Sequence, residues 1–176
     1  MAFIISTTIM NTELKERLML LAERYETPAF IVEDPIRIPH RYHSQTDVEI
    51  SALVTSWIAT GNRKAIIRSA DRIDCAIFKN APYQYIMSKE WRMYAGQKGS
   101  FYRYYSFDDF YLLCDTLYTV YSRKPTLEDY LYESFETLSP LQRLQSVFGH
   151  INGMPEMSST FEAKKMCMFL RWMIRR

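Results

Sequence analysis

Glycine is scarce in this chain, with five residues in 176, and proline numbers only seven. A many-stranded β fold consumes such turn residues at short, regular intervals, so their scarcity argues against that class. Cysteine is rare too: Cys75, Cys114 and Cys167 are far apart, odd in number and set among apolar neighbours. They form neither a disulfide framework nor a metal-binding spacing, and a reducing, cytoplasmic setting is expected. Long apolar runs are missing. The opening from Met1 to Met10 has only a short apolar stretch and no basic leader, which makes a poor signal peptide and cannot span a bilayer. No membrane partner is therefore expected, and Met10 is a candidate start with residues 1–10 as an extension.

What is present is material for a core. Apolar residues make up 48% and aromatics 15% of a chain of one-domain length, which predicts a packed globular protein. Charge is uneven: from Thr137 to Arg176 six basic residues face two acidic ones, in a chain whose total is only +2. A basic end either faces a polyanion or gathers at a helix C-terminus, where the dipole favours cations.

Helical signals dominate the pattern. Asn11 or Thr12 caps a segment carrying Leu14, Leu18, Leu21 and Tyr25 at helical spacing. Thr27 to Ser44, with Pro28, Pro35 and Pro39, reads as an extended loop. Thr46 and Glu49 form a capping-box pattern ahead of Ile50, Leu53, Val54 and Trp57. Gly61 ends that helix and Asn62 caps the next, with Ile66, Ile67, Ala70 and Ile73 inward. Further helices are expected from Pro82, Ser106, Leu127 and Ser139, and a last one behind Ser159-x-x-Glu162. No run alternates strongly enough to predict a strand. The expectation is an all-α, single multi-helix domain over residues 1–176. The last helix, rich in Phe169, Trp172 and Met173, has no Gly, Asn or Pro to stop it, so the chain is expected to end on a bare helix or short of a longer domain.

Four clusters carry candidate chemistry. Lys164 and Lys165 lie in the early turns of the last helix, where the dipole and the neighbouring ammonium both disfavour the charged amine. Such a lysine is either a nucleophile or one of a solvated pair. Gly61-Asn62-Arg63-Lys64 combines free donors at a helix start with two cations, either a phosphate seat or an ordinary turn. Phe101-Tyr102-Arg103-Tyr104-Tyr105 interleaves aromatics with arginine, which suits base stacking or a core. His40, His43 and Asp34 lack a third ligand and a helix to align them, so loop packing is expected and no metal or other cofactor.

Several phrases carry a family resemblance along nearly the whole chain. Pro28-Ala-Phe-Ile31, Asp34-Pro-Ile-Arg-Ile-Pro-His-Arg41, Asp47-Val-Glu-Ile50, Gly61-Asn-Arg-Lys64, Asn80-Ala-Pro-Tyr83, Arg103 with Asp108-Asp109, and Met168-Phe-Leu-Arg-Trp-Met173 resemble a bacterial family of uncharacterised proteins, domain of unknown function 2400. The family is in turn similar to helix-hairpin-helix DNA glycosylases. One glycosylase branch has a lysine five residues before a Phe-Leu-Arg, which here is Lys164 before Phe169-Leu170-Arg171. The resemblance implies a glycosylase-like fold, truncated at its C-terminus, with Lys164 as nucleophile and DNA as partner. Its DNA contacts would be Gly61, Asn62, Arg63, Lys64, Lys165 and Arg171. Two features of that chemistry are missing: Phe161-Glu162-Ala163 stands where a Gly-rich hairpin is expected, and the assisting aspartate is absent, which puts enzymatic activity in question. The alternatives are a non-catalytic nucleic-acid-binding module, or a helical module whose last helix is covered by a protein partner.

Overall fold

The computed structural model of the chain describes residues 12–25, 27–154 and 163–174. These residues are all-α apart from one small hairpin. The chain divides after Glu33 into two compact units. The first holds α1 (Thr12–Tyr25) and α2 (Pro28–Val32). The helix expected behind Asn11 or Thr12 is α1, but Leu14, Leu18 and Leu21 are exposed on it.

The second unit, Asp34–Arg176, contains α3 (Gln45–Trp57), α4 (Arg63–Arg72), α5 (Pro82–Ser88), α6 (Phe107–Arg123), α7 (Leu127–Ser134), α8 (Pro140–Phe148) and α9 (Lys164–Ile174). At its centre α3 packs against α5, α9 and the Pro39–Arg41 turn. A helix enclosed on all sides needs apolar residues all round rather than a single stripe. From Glu49 to Trp57 every residue of α3 is buried, including Ser51, Thr55 and Ser56. The core continues through Phe110, Leu113 and Leu117 of α6, Leu144 and Phe148 of α8, and Met166, Phe169 and Trp172 of α9.

Local capping signals translate directly into structure. The Asn62 side chain accepts from Lys64 N and Ala65 N at the start of α4. Ser106 with Asp109 and Ser139 with Gln142 form reciprocal capping boxes on α6 and α8. Beyond Arg72 the chain widens into a π-helical turn, Ile73–Ile77.

Three expectations are corrected. The stretch from Thr27 to Ser44 is not an extended loop but a series of short helical turns. Pro28, Pro35 and Pro39 each open one, at a position where a missing N–H costs nothing. Thr27 and Asp34 accept from Phe30 N and Ile36 N to cap the first two. A two-stranded antiparallel hairpin, β1 (Ser100–Tyr102) and β2 (Tyr105–Ser106), stands where no strand is expected. Its strands are too short for an alternating pattern to register. The expected Thr46–Glu49 capping box is absent, because α3 starts at Gln45 and Glu49 is committed elsewhere.

Glu49, 4% exposed, accepts from Tyr121 Oη at 2.9 Å, Leu127 N at 2.9 Å, Glu128 N at 3.3 Å and Gln45 Nε2 at 3.1 Å. The two backbone donors are the first of α7, so a carboxylate from α3 caps α7 at its positive end. Asp47, two residues earlier, does the same for α5 by accepting from Tyr83 N at 2.8 Å.

Glu49→Ala would orphan two backbone donors and the Tyr121 hydroxyl. The expected cost is about 3 kcal/mol, read as a lower urea midpoint at unchanged slope. Burial, offset in part by the four donors, holds the Glu49 carboxyl above its ordinary range. The native state thus keeps this proton at pH values where the unfolded chain has released it. The contribution to stability falls as pH rises from the ordinary carboxylate range through the raised value. Glu49→Gln is expected to flatten that part of the stability–pH curve, measured as urea midpoints across acid to neutral pH.

Candidate functional site

The hairpin decides where the candidate residues meet. Its inward ring, Tyr105, is buried and stacks on Trp57 with centroids 4.5 Å apart. Trp57 is wholly buried and donates its indole N–H to Asn152 O at 2.9 Å, tying the end of α3 to the loop after α8. Gly153 in that loop has φ +80, and a Cβ there would come within 2.5 Å of the Tyr105 ring. The loop thus approaches the ring as closely as only a glycine permits.

Lys165, in the first turn of α9, lies over Tyr105, with Nζ 4.6 Å from the ring centroid and in hydrogen-bond contact with the phenol oxygen. Its neighbour Lys164 is exposed. The two lysines therefore differ: one is fixed against the core through Tyr105, the other faces solvent. Outward positions of α9 run Lys164, Cys167, Arg171 and Ile174, so Arg171 shares the face of Lys164 two turns away.

Just before Tyr105, at the apex of the hairpin, Arg103 and Tyr104 form a two-residue turn. Arg103 has φ 53, a left-handed conformation that hairpin turns usually assign to Gly or Asn. Its guanidinium reaches the α3–α4 connection and donates to Thr60 O at 3.3 Å. There it occupies the space where a Cβ on Gly61 (φ +103) would stand. Hydrogen bonding to Tyr104 and Tyr102 raises the Arg103 pKa further, with the Tyr104 contact the larger, so its charge is permanent.

Within three residues, then, the hairpin touches both sequence-predicted cationic clusters. Arg103 rests on the Gly61–Lys64 helix start, and Tyr105 carries Lys165. Gly61, Asn62, Arg63 and Lys64 are all exposed. The aromatic stretch is divided between core and surface: Phe101 stacks on Phe110 at 4.1 Å, while Tyr104 is 75% exposed.

A nucleophilic Lys164 would need a carboxylate beside it, and Asp108 and Asp109 are engaged elsewhere. Asp108 accepts from Gly96 N at 3.0 Å, and Asp109 closes the α6 capping box and accepts from Asn152 Nδ2 at 3.2 Å. Glu156 and Glu162, together with the Ser159 capping pattern, lie outside the described residues. The apolar stripe of the last helix is not open: Phe169 and Trp172 are 3% and 4% exposed, covered as α9 packs on α3 and α8.

Away from this region, Asp74 on the π-helical turn is 2% exposed and accepts from Tyr42 Oη at 2.6 Å and Arg41 Nη1 at 3.2 Å. That cluster locks the Pro39–Arg41 turn onto the end of α4. The shallow recess beside it, lined in part by Ser51, Thr55 and Asp74, leaves no room even for a water molecule and is no small-molecule site. Among the described residues no group of three or more His, Cys, Asp or Glu is placed to hold a metal ion, and no helix is long and apolar enough to cross a membrane.

A family model described as a protein of unknown function, DUF2400, matches residues 34–176. The chain belongs to this family. The match begins at the residue where the second compact unit begins, so the DUF2400 region coincides with that unit and holds every candidate site residue. No curated protein and no solved structure matches the chain.

Gly153→Ala tests the closeness of the DUF2400 core at this point. The left-handed backbone and the clash with Tyr105 together are expected to cost about 2 kcal/mol or more in urea unfolding. A neutral substitution would contradict the placement of the loop against the ring.

Proposed function

We propose that the chain binds nucleic acid through the face built around the hairpin. The observation that carries this reading is the junction at residues 103–105, where one short turn draws the Gly61–Lys64 helix start and the Lys164–Lys165 helix start together. A phosphate backbone is bound by cations and by backbone donors at helix N-termini. Lys64, Arg103 and Lys164 supply exposed charge from three separate elements; α4 adds the positive end of its dipole at Lys64, its donors Lys64 N and Ala65 N being taken by the Asn62 cap. Arg171 extends the same face along α9.

Base excision with Lys164 as nucleophile is the chemical extension of this reading, in line with the resemblance to DNA glycosylases. Lys164 is exposed, as an attacking amine must be. The step also needs a carboxylate to stabilise developing positive charge and assist proton transfer. Asp108 and Asp109 are held by their own hydrogen bonds, so binding is the better supported part of the proposal.

Affinity for labelled DNA, followed by fluorescence anisotropy, is expected to fall steeply with salt. Lys64→Ala and Lys164→Ala should each lower the slope of log K against log salt by about 1. Affinity that is indifferent to salt would overturn the reading. Borohydride trapping on duplexes carrying oxidised guanine, uracil or an abasic site separates catalysis from binding. An adduct lost in Lys164→Ala is the result expected of the nucleophile, and no adduct with binding intact leaves a scaffold that holds nucleic acid without cutting it.

A further inference from the structure

The aromatic stretch leaves one ring unexplained. Phe101 and Tyr105 are spent on the core, yet Tyr104 stands 75% exposed at the hairpin apex. A single exposed ring is ordinary by itself; what sets this one apart is a backbone pinned on both sides. Ser100 Oγ donates to Arg103 O at 2.8 Å across the hairpin. Asn152 Nδ2 donates to Tyr104 O at 3.4 Å from the loop after α8, and Arg103 Nη1 donates to Thr60 O at 3.3 Å from the α3–α4 connection. Arg103 keeps a left-handed backbone without being glycine, which costs about 1 kcal/mol and is retained where the side chain is needed. The result is a rigid apex that projects one aromatic face into solvent, with a guanidinium carbon 5.7 Å from the ring centroid.

We propose that Tyr104 is a stacking platform for an unpaired nucleobase, so that the preferred ligand of this face is single-stranded or locally unpaired nucleic acid rather than intact duplex. The inference rests on the reading that the face binds nucleic acid. A base inside a duplex already has both faces stacked, and a protruding ring gains nothing from it without opening the helix. A free base offers its π face to any aromatic ring, whatever its sequence. Rigidity helps, because an apex already held in place loses little freedom on binding. Arg103 beside the ring supplies the cation for the phosphate next to the stacked base.

The test compares the full chain with its Tyr104→Ala and Tyr104→Phe variants by anisotropy. The probes are a mixed-sequence single strand, the matching blunt duplex, and that duplex with one unpaired base, each at two salt concentrations. The wild-type chain is expected to prefer the single strand and the unpaired site over the blunt duplex by about tenfold. Tyr104→Ala should lose that preference with its salt slope unchanged, and Tyr104→Phe should keep it. Because the side chain is exposed, all three proteins are expected to melt at the same temperature. Tyr104→Ala binding all three probes as the wild type does would overturn the stacking role while leaving the basic face intact. Wild-type binding as tight to blunt duplex as to single strand would also overturn it. Absence of salt-sensitive binding to any probe would overturn the nucleic-acid reading itself, and this inference with it.

Discussion

Complete burial of α3 is the constraint on which the second unit depends. A helix enclosed from Glu49 to Trp57 buries polar side chains along with apolar ones; Ser51 Oγ stays without a hydrogen-bond partner, but the polar groups toward its two ends are turned into connections. Asp47 and Glu49 at one end cap α5 and α7, which are distant in sequence. At the other end Trp57 spends its indole N–H on Asn152 and its face on Tyr105. The first set of contacts fixes neighbouring helices; the second fixes the hairpin and the loop after α8. The exposed face inherits its geometry from that buried end, since the Trp57–Tyr105 stack determines where Arg103, Tyr104 and Lys165 lie.

Interactions within a few residues were legible from the amino-acid order. Asn62, Ser106 and Ser139 cap the helices that follow them because a side chain three positions away from its donor leaves a local signature. Glu49 carries the same signature and is not a local cap. Its partners Tyr121 and Leu127 lie 72 and 78 residues away, and tertiary burial outcompetes the first-turn amide. The prolines mislead for a related reason: each looks like a breaker, but in company with Thr27 or Asp34 it is a helix start. The all-α class was readable from composition and period. The hairpin was not, because strands of three and two residues are held by ring stacking rather than by a pattern of their own.

The candidate site shows the same division. Gly61 to Lys64 and the lysine pair were visible as separate cationic helix starts. Nothing in the order of residues said that one turn, Arg103-Tyr104, would join them, or that Lys165 rather than Lys164 would be the lysine held against the core. Burial of Phe169 and Trp172 removes the open apolar stripe on which docking of the last helix would depend. What remains on that side is a basic surface with one fixed aromatic ring. Such a surface suits a ligand with phosphates and planar bases better than it suits an apolar partner.

The most direct measurement is a titration of isotopically labelled protein with a short oligonucleotide, following backbone amide shifts. The account predicts that Asn62 to Ala65, Arg103 and Tyr104, and Lys164 and Lys165 shift together along one binding curve. The Glu49–Leu127 contact, at the end of α3 away from Trp57, should stay unchanged. Shifts confined to one of the three segments, or centred on α7 and α8, would contradict the claim that the hairpin unites them into a single nucleic-acid-binding face.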